Sequence, residues 1–211
     1  SAMKITVSYI NSLYDQKKTI DLINETSADA IHVDLMDGIY AGTKNFDINH
    51  LPILFKDNIK PLEIHMMVNK PSSYLNDLLK LKPTCIYIHP STEPSAFGLL
   101  NELNNYEIKR GLVINPDEEL SSFSHYFPYI DRVLLMSVVP GKGGQKFLDS
   151  TKERLQELIK YKKENVFEIY IDGGINNETI KDVINADGVI SGSYICMSKD
   201  FESRINSLKI H

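Results

Sequence analysis

Short apolar runs alternate with longer polar or amphipathic stretches along this chain. The runs are almost continuously apolar, which is typical of strands buried on both faces of a parallel sheet. The stretches between them have helical length, and in Ser150–Lys163 the side chains of Leu155, Leu158 and Ile159 fall on one stripe of a helix. The pattern predicts eight strands: Lys4–Ile10, Ala30–Met36, Pro61–Val68, Thr84–His89, Ile108–Asn115, Arg132–Val139, Glu168–Ile175 and Gly188–Ile195.

Eight strands that alternate with helices within about 200 residues predict an α/β fold, a single-domain (β/α)8 TIM barrel. A doubly wound open sheet shows the same alternation and is the alternative. No repeat, low-complexity segment or linker divides the 211 residues, so we expect one domain over 1–211. The first three residues, Ser1-Ala2-Met3, are interpreted as the remnant of a tag before a native methionine.

Four side chains that bind metals lie near the carboxyl ends of these runs: His32 and Asp34 in the second, His65 in the third and Asp172 in the seventh. His32 and Asp34 are two residues apart and therefore point to the same side of their strand. Taken singly, each is more often a buried core histidine or a helix cap than a ligand. Strands that run parallel around a barrel bring all four to one mouth, and together they predict a metal site.

Glycine-containing loops follow the last three strands. The sixth is followed by Pro140-Gly141-Lys142-Gly143-Gly144-Gln145, the seventh by Gly173-Gly174, and the eighth contains Ser191-Gly192-Ser193. Glycine lets the backbone approach a ligand closely, and such turns aim several N–H groups at one anion. In barrels, the loops after strands seven and eight frequently bind phosphate. The sequence therefore predicts a phosphate-binding region beside the metal site.

Composition excludes several classes of protein. A net charge of -5 argues against a nucleic-acid partner, and no apolar stretch is long enough to cross a membrane. The hydrophobic and charged fractions, 42% and 24%, are ordinary for a globular protein. Cys85 and Cys196 lie in apolar runs, where buried and reduced thiols are expected. We expect a cytoplasmic enzyme or binding domain.

The motifs in this sequence resemble those of the ribulose-phosphate 3-epimerase family, and the likeness extends over nearly the whole chain. The matching segments are His32-Val33-Asp34-Leu35-Met36-Asp37-Gly38, His65-Met66-Met67-Val68, Met136 before Pro140–Gln145, Asp172-Gly173-Gly174 and Gly192-Ser193. The resemblance implies a barrel enzyme of pentose phosphate metabolism that inverts carbon 3 of a phosphorylated ketose. Its substrate and product would be D-ribulose 5-phosphate and D-xylulose 5-phosphate.

The resemblance also implies roles for individual residues. One divalent metal ion, Zn²⁺ or Fe²⁺ with Mn²⁺ and Co²⁺ as alternatives, would be held by His32, Asp34, His65 and Asp172. Asp34 and Asp172 would exchange protons with the substrate as general acid and base through an enediolate. The remaining implied substrate contacts are Ser8, Met36, His65, Met67, Met136, Gly141, Lys142, Gly143, Gly144, Gly173, Gly174, Gly192 and Ser193.

Several positions depart from the family pattern and leave the sugar open. Residues 39–45 replace the usual Phe-Val-Pro-Asn segment, Val7 replaces a proline, and Ser91 replaces the glutamate of a His-x-Glu motif that begins at His89. Lys142 stands where phenylalanine is usual and either contacts phosphate or points to solvent. Asp37 either orients the metal ligands or caps the next turn. A hexulose 6-phosphate such as allulose 6-phosphate is the alternative substrate, and a non-catalytic phosphosugar-binding protein is the alternative function. Members of the family commonly associate, so the resemblance is compatible with a homo-oligomer, but the sequence shows no interface and leaves the oligomeric state open.

Overall fold

A closed ring of eight parallel strands forms the centre of the computed structural model, which describes residues 2–141 and 144–209. Each strand pairs with the next strand in the chain, and the eighth pairs with the first. The predicted barrel is therefore confirmed, and the open sheet is excluded. The strands are β1 (Lys4–Ser8), β2 (Ala30–Met36), β3 (Leu62–Met67), β4 (Cys85–Ile88), β5 (Lys109–Ile114), β6 (Arg132–Met136), β7 (Glu168–Asp172) and β8 (Gly188–Ser191).

Helical segments of unequal length connect the strands and cover the outside of the barrel. Asp15 caps the first helix by accepting a hydrogen bond of 2.8 Å from the backbone N–H of Lys18. The stripe predicted within Ser150–Lys163 is buried at Leu155 and Leu158. The α-helices are α1 (Gln16–Asn24), α2 (Leu51–Leu54), α3 (Leu75–Leu78), α4 (Ala96–Asn105), α5 (Thr151–Tyr161), α6 (Ser193–Cys196) and α7 (Phe201–Lys209). Segments of 3₁₀ helix span Pro71–Tyr74, Leu79–Leu81, Pro90–Thr92, Leu120–Tyr129 and Thr179–Val183.

Several strands end earlier than the apolar runs predict. β7 stops at Asp172 because Gly173 and Gly174 have φ angles of 129° and 66°, which lie outside the extended region. β8 stops at Ser191, and the last residues of the predicted strand Gly188–Ile195 belong to α6 instead. Apolar residues of a buried helical turn are not distinguishable from a strand by hydrophobicity alone. The earlier ends release the glycine loops into the barrel mouth.

Apolar side chains fill the space between strands and helices, and a second layer fills the barrel interior. At the amino-terminal end of the interior, Arg132 is buried beside Glu63, with its Nη1 2.8 Å from Oε2 of the glutamate. Both cysteines are buried free thiols, as predicted. Of the helices formed by residues 2–141 and 144–209, none is long and apolar enough to cross a membrane.

Candidate active site

Two histidines and two aspartates meet at the carboxyl end of the barrel. β2 and β3 pair in a register that places Asp34 beside His65, and Asp172 reaches the same point from β7. Nε2 of His32 lies 3.0 Å from Oδ1 of Asp34 and 3.4 Å from Oδ2 of Asp172. Nδ1 of His65 lies 3.3 Å and 3.6 Å from the same two oxygens. One ligand atom from each of the four side chains lies within 4.8 Å of the others.

The four charged groups strongly change one another's protonation. Burial alone would lower the pKa of His32, but Asp34 and Asp172 outweigh burial and raise it to about 10. The same carboxylates raise the pKa of His65 against the effect of burial. Burial would raise the pKa values of Asp34 and Asp172, and the histidines lower both instead. Without another cation, the His32 ring is therefore protonated beside two carboxylates at neutral pH, and the same carboxylates favour the protonated form of His65.

This donor set fits a divalent metal ion. Nδ1 of His65 is buried and has no hydrogen-bond partner of good geometry among the described residues, although two carboxylates face it. A cation that replaced the histidine protons would satisfy this nitrogen and both carboxylates at once. Two imidazoles with two carboxylates are ligands that Zn²⁺ and Fe²⁺ accept. The residues predicted from the sequence as metal ligands are therefore brought together.

A cavity of about 700 Å³ opens beside the cluster. Ser8 contributes to its wall and donates a hydrogen bond of 2.6 Å to Oδ2 of Asp34. His32 is buried behind Asp34 and does not line the cavity. The predicted residues that line it are Ser8, Asp34, Met36, His65, Met67, Met136, Gly141, Gly144, Asp172, Gly173, Gly174, Gly192 and Ser193. The predicted contacts Lys142 and Gly143 lie outside the described residues.

Two positions directly after β7 have no room for a residue larger than glycine. A Cβ on Gly173 would lie 2.4 Å from Cγ2 of Val138, and one on Gly174 would lie 2.5 Å from the backbone nitrogen of Phe147. Both also have positive φ angles. The chain therefore turns tightly into the cavity at this point, with backbone groups in place of side chains at its surface.

Loop 39–45 is fixed at both ends by side chains of its neighbours. Asp37 accepts hydrogen bonds from the backbone N–H groups of Ile39, Tyr40 and Asn69, so it caps the turn. Asn45 donates to the carbonyl of Asp34 and accepts from the backbone N–H of Met36. The two alternatives for Asp37 are thus resolved in favour of the cap.

Sequence reasoning missed a polar chain behind the cluster of two histidines and two aspartates. His89 is buried at the end of β4, and its Nε2 lies 2.8 Å from Nε2 of His65. Its Nδ1 lies 3.0 Å from the hydroxyl of Tyr40, which also accepts a hydrogen bond of 2.9 Å from Asn115. Burial lowers the pKa of His89 well below its ordinary value, and His65 lowers it further. The available signal was position, because His89 is the last residue of the predicted strand Thr84–His89 and therefore lies at the same end of the barrel as the cluster.

Comparisons with known proteins give a sequence family and a shared fold. A sequence model of the ribulose-phosphate 3-epimerase family matches residues 4–196. The chain is 37% identical over 190 residues to a ribulose-phosphate 3-epimerase of Helicobacter pylori, covering 87% of each protein. It is 33% identical over 187 residues to that of Aquifex aeolicus, covering 86% of this chain and 84% of the relative. The 3-keto-L-gulonate-6-phosphate decarboxylase of Vibrio cholerae shares the fold, with a TM-score of 0.71 at 10% identity over 99% of this chain and 96% of the other.

Proposed function

This chain belongs to the ribulose-phosphate 3-epimerase family, and on that premise we propose that it inverts carbon 3 of D-ribulose 5-phosphate to give D-xylulose 5-phosphate. It is an isomerase that acts on carbohydrates. One observation carries the proposal: two carboxylates approach one point of the cavity from β2 and from β7. Epimerisation beside a ketone removes a proton from one face of the carbon and returns a proton to the other.

Asp34 and Asp172 are the proposed acid and base. Each has one oxygen directed at the two histidines, Oδ1 in Asp34 and Oδ2 in Asp172. The second oxygen of each carboxylate is left to exchange a proton with the substrate. One takes the carbon 3 proton while the other supplies its replacement, and the roles exchange in the reverse reaction. Pure binding of a sugar phosphate would not require two carboxylates, so the geometry favours an enzyme over a binding protein.

One divalent ion per chain, held by His32, Asp34, His65 and Asp172, would supply Lewis-acid stabilisation of the negative charge that develops on the ketone oxygen. The nitrogen and oxygen donors suit Zn²⁺ or Fe²⁺, with Mn²⁺ and Co²⁺ as alternatives. The side chains of Asp34 and Asp172 also have a second task. Because one oxygen of each carboxylate is held in the buried cluster, the position of the other oxygen, which exchanges the proton, is fixed as well.

We divide the cavity into a reaction region and a phosphate region by the chemistry of its lining. Met36, Met67 and Met136 line the cavity with the carboxylates, and these apolar side chains would exclude water and strengthen electrostatic interactions. The glycine loops line the same cavity. We assign the phosphate group to their backbone N–H groups, because close backbone approach supplies donors without added positive charge.

The test is proton exchange at carbon 3 in heavy water. Metal-loaded protein is incubated with ribulose 5-phosphate, with unphosphorylated ribulose and with allulose 6-phosphate, and deuterium incorporation is followed by NMR. We expect the fastest exchange with ribulose 5-phosphate and far slower exchange with the free sugar, since remote phosphate binding supports turnover. The Asp172→Asn variant, with its metal content measured, should lose exchange by a factor on the order of 10² or more.

Each alternative gives a different result in this experiment. Faster exchange with allulose 6-phosphate than with ribulose 5-phosphate would indicate that the substrate is a hexulose phosphate. Binding of ribulose 5-phosphate without exchange, in protein of confirmed metal content, would indicate a binding protein instead of an enzyme. Equal exchange of phosphorylated and free ribulose would contradict the assignment of the glycine loops.

A further inference from the structure

The ring of His65 is held from both sides. Its Nδ1 faces the carboxylates of Asp34 and Asp172, and its Nε2 lies 2.8 Å from Nε2 of His89 on the neighbouring strand end. The two rings are nearly parallel, with an interplanar angle of 24° and centroids 5.1 Å apart. A rotation of the His65 ring would therefore break this contact as well as move Nδ1.

The metal-facing role of His65 fixes the direction of this hydrogen bond. A nitrogen that binds a cation offers its lone pair, so the proton of neutral His65 resides on Nε2. That Nε2–H donates to His89, whose Nε2 must then be the acceptor. The proton of neutral His89 consequently resides on Nδ1, where it is donated to the hydroxyl oxygen of Tyr40 at 3.0 Å.

Tyr40 completes the chain from loop 39–45. Its hydroxyl oxygen accepts from His89 and from the amide of Asn115, which places it between two donors. Its ring lies over that of His89 with centroids 4.6 Å apart. The backbone N–H of Tyr40 is in turn held by Asp37 at 3.1 Å. Loop 39–45 is thus connected to the His65 ring through the side chains of Tyr40 and His89.

We propose that His89 and Tyr40 are positioning residues that orient the His65 ring for metal binding, with Tyr40 fixing the tautomer of His89 from loop 39–45. The proposal rests on the metal-dependent function proposed above. Partners of this kind raise the affinity of a ligating histidine by holding its ring and its proton in place. A merely structural His89 would fill space behind His65 without influencing metal affinity.

The experiment measures Co²⁺ affinity by competition with a chromogenic chelator, together with the visible absorption of the bound Co²⁺. We expect His89→Ala to weaken binding by about 10- to 100-fold and to change the spectrum. His89→Gln should restore most of the affinity, because its amide oxygen accepts a hydrogen bond from Nε2–H of His65. Tyr40→Phe removes one hydroxyl and should weaken binding by roughly two- to tenfold. Tyr161→Phe on the outer helix α5 removes the same group elsewhere and should leave the affinity unchanged.

The outcomes separate this proposal from the proposed function. A wild-type protein that binds no Co²⁺ contradicts the metal-dependent function. Wild-type protein that binds Co²⁺ with the same affinity as folded His89→Ala overturns the positioning role. If His89→Ala fails to fold, the comparison of Tyr40→Phe with Tyr161→Phe decides, and equal affinities for these two variants overturn the proposal.

Discussion

Ser8 and Asp34 are joined by a hydrogen bond of 2.6 Å, in which the serine hydroxyl donates to Oδ2 of the carboxylate. The other oxygen, Oδ1, lies 3.0 Å from Nε2 of His32. The two oxygens of one carboxylate thus have separate surroundings. Because both are held, Asp34 cannot rotate without losing a contact on each side.

Replacing Ser8 with alanine should lower kcat on the order of tenfold, because Oδ2 of Asp34 loses the group that fixes its position toward the substrate. Metal affinity should change little, since the histidine neighbours of Oδ1 remain. Ser12→Ala is the matched control: its hydroxyl, in the loop that follows β1, donates to the carbonyl of Cys196. Steady-state kinetics with metal content measured for each variant provide the test. Equal kcat values for Ser8→Ala and the wild type would contradict the role of Ser8.

Metal binding at pH 7 should release at least one proton per ion. In metal-free protein the carboxylates of Asp34 and Asp172 raise the pKa of His32 to about 10, so its ring is protonated, and they also raise the pKa of His65. A metal ligand must be a neutral imidazole, and the His32 ring therefore loses its proton on binding. Isothermal titration calorimetry in buffers of different ionisation enthalpy counts these protons. Release of fewer than one proton would show that the cluster is not charged as described.

The same raised pKa values predict how metal-free protein responds to pH. A histidine whose pKa is higher when folded contributes stability that is fully present below its unfolded value of about 6.5. That contribution is lost as pH rises toward the folded pKa, which is about 10 for His32. Metal-free protein should therefore lose stability as pH rises through this interval, whereas metal-loaded protein should not. Urea unfolding at several pH values, with and without chelator, measures the difference, and parallel curves would contradict it.

Gly174→Ala should weaken binding of ribulose 5-phosphate on the order of tenfold and leave metal affinity unchanged. The new Cβ would lie 2.5 Å from the backbone nitrogen of Phe147 at a φ of 66°, so the phosphate loop must move. Gly98→Ala on helix α4 is the control, because it adds the same methyl group far from the cavity. Binding is measured by calorimetry with metal-loaded protein. An unchanged affinity for the phosphorylated sugar would contradict the proposal that this loop binds the phosphate.

Glu63→Gln should destabilise the protein on the order of 3 kcal/mol while leaving the Co²⁺ spectrum unchanged. Glu63 pairs with Arg132 inside the amino-terminal end of the barrel, and loss of its charge leaves a buried cation poorly compensated. Glu168→Gln is a matched control, because this glutamate contacts the same arginine with its side chain 41% exposed. The free energy of unfolding of Glu168→Gln should fall by at most about 1 kcal/mol. Urea unfolding measures both variants. Equal losses of unfolding free energy in Glu63→Gln and Glu168→Gln would show that burial does not decide the strength of these ion pairs.

The fold and the convergence of His32, Asp34, His65 and Asp172 could be predicted from the sequence because both depend on local patterns. Buried strands produce apolar runs, and a ligand at the end of a run is carried to the barrel mouth by the fold itself. Asp34 and Asp172 could therefore be identified from their positions in the apolar runs and from the motifs shared with the family. The end of β7 could not be placed because the chain turns at glycine backbone angles, which hydrophobicity does not report. The end of β8 could not be placed because the apolar residues of α6 have the hydrophobicity of a strand.

The contact between His65 and His89 was also beyond reach of the sequence. It joins residues 24 positions apart on neighbouring strands, and it depends on which nitrogen of each ring faces the other. No periodic pattern carries that information. Tyr40 was harder still, because it lies in the loop where this chain departs from its family. Its role follows only from the side-chain geometry of three separate segments.

Closure of the ring between β1 and β8 has a consequence for how the chain folds. Lys4 pairs with Gly188 and Val7 with Ser191, so the first strand made on the ribosome obtains its second neighbour from the last. Until β8 emerges, β1 and β7 each expose a row of unpaired backbone groups to other chains. Contacts between such distant segments also slow folding. A chain that ends before residue 188 would therefore have an open sheet with two unpaired edges, and it should aggregate more readily than the closed barrel.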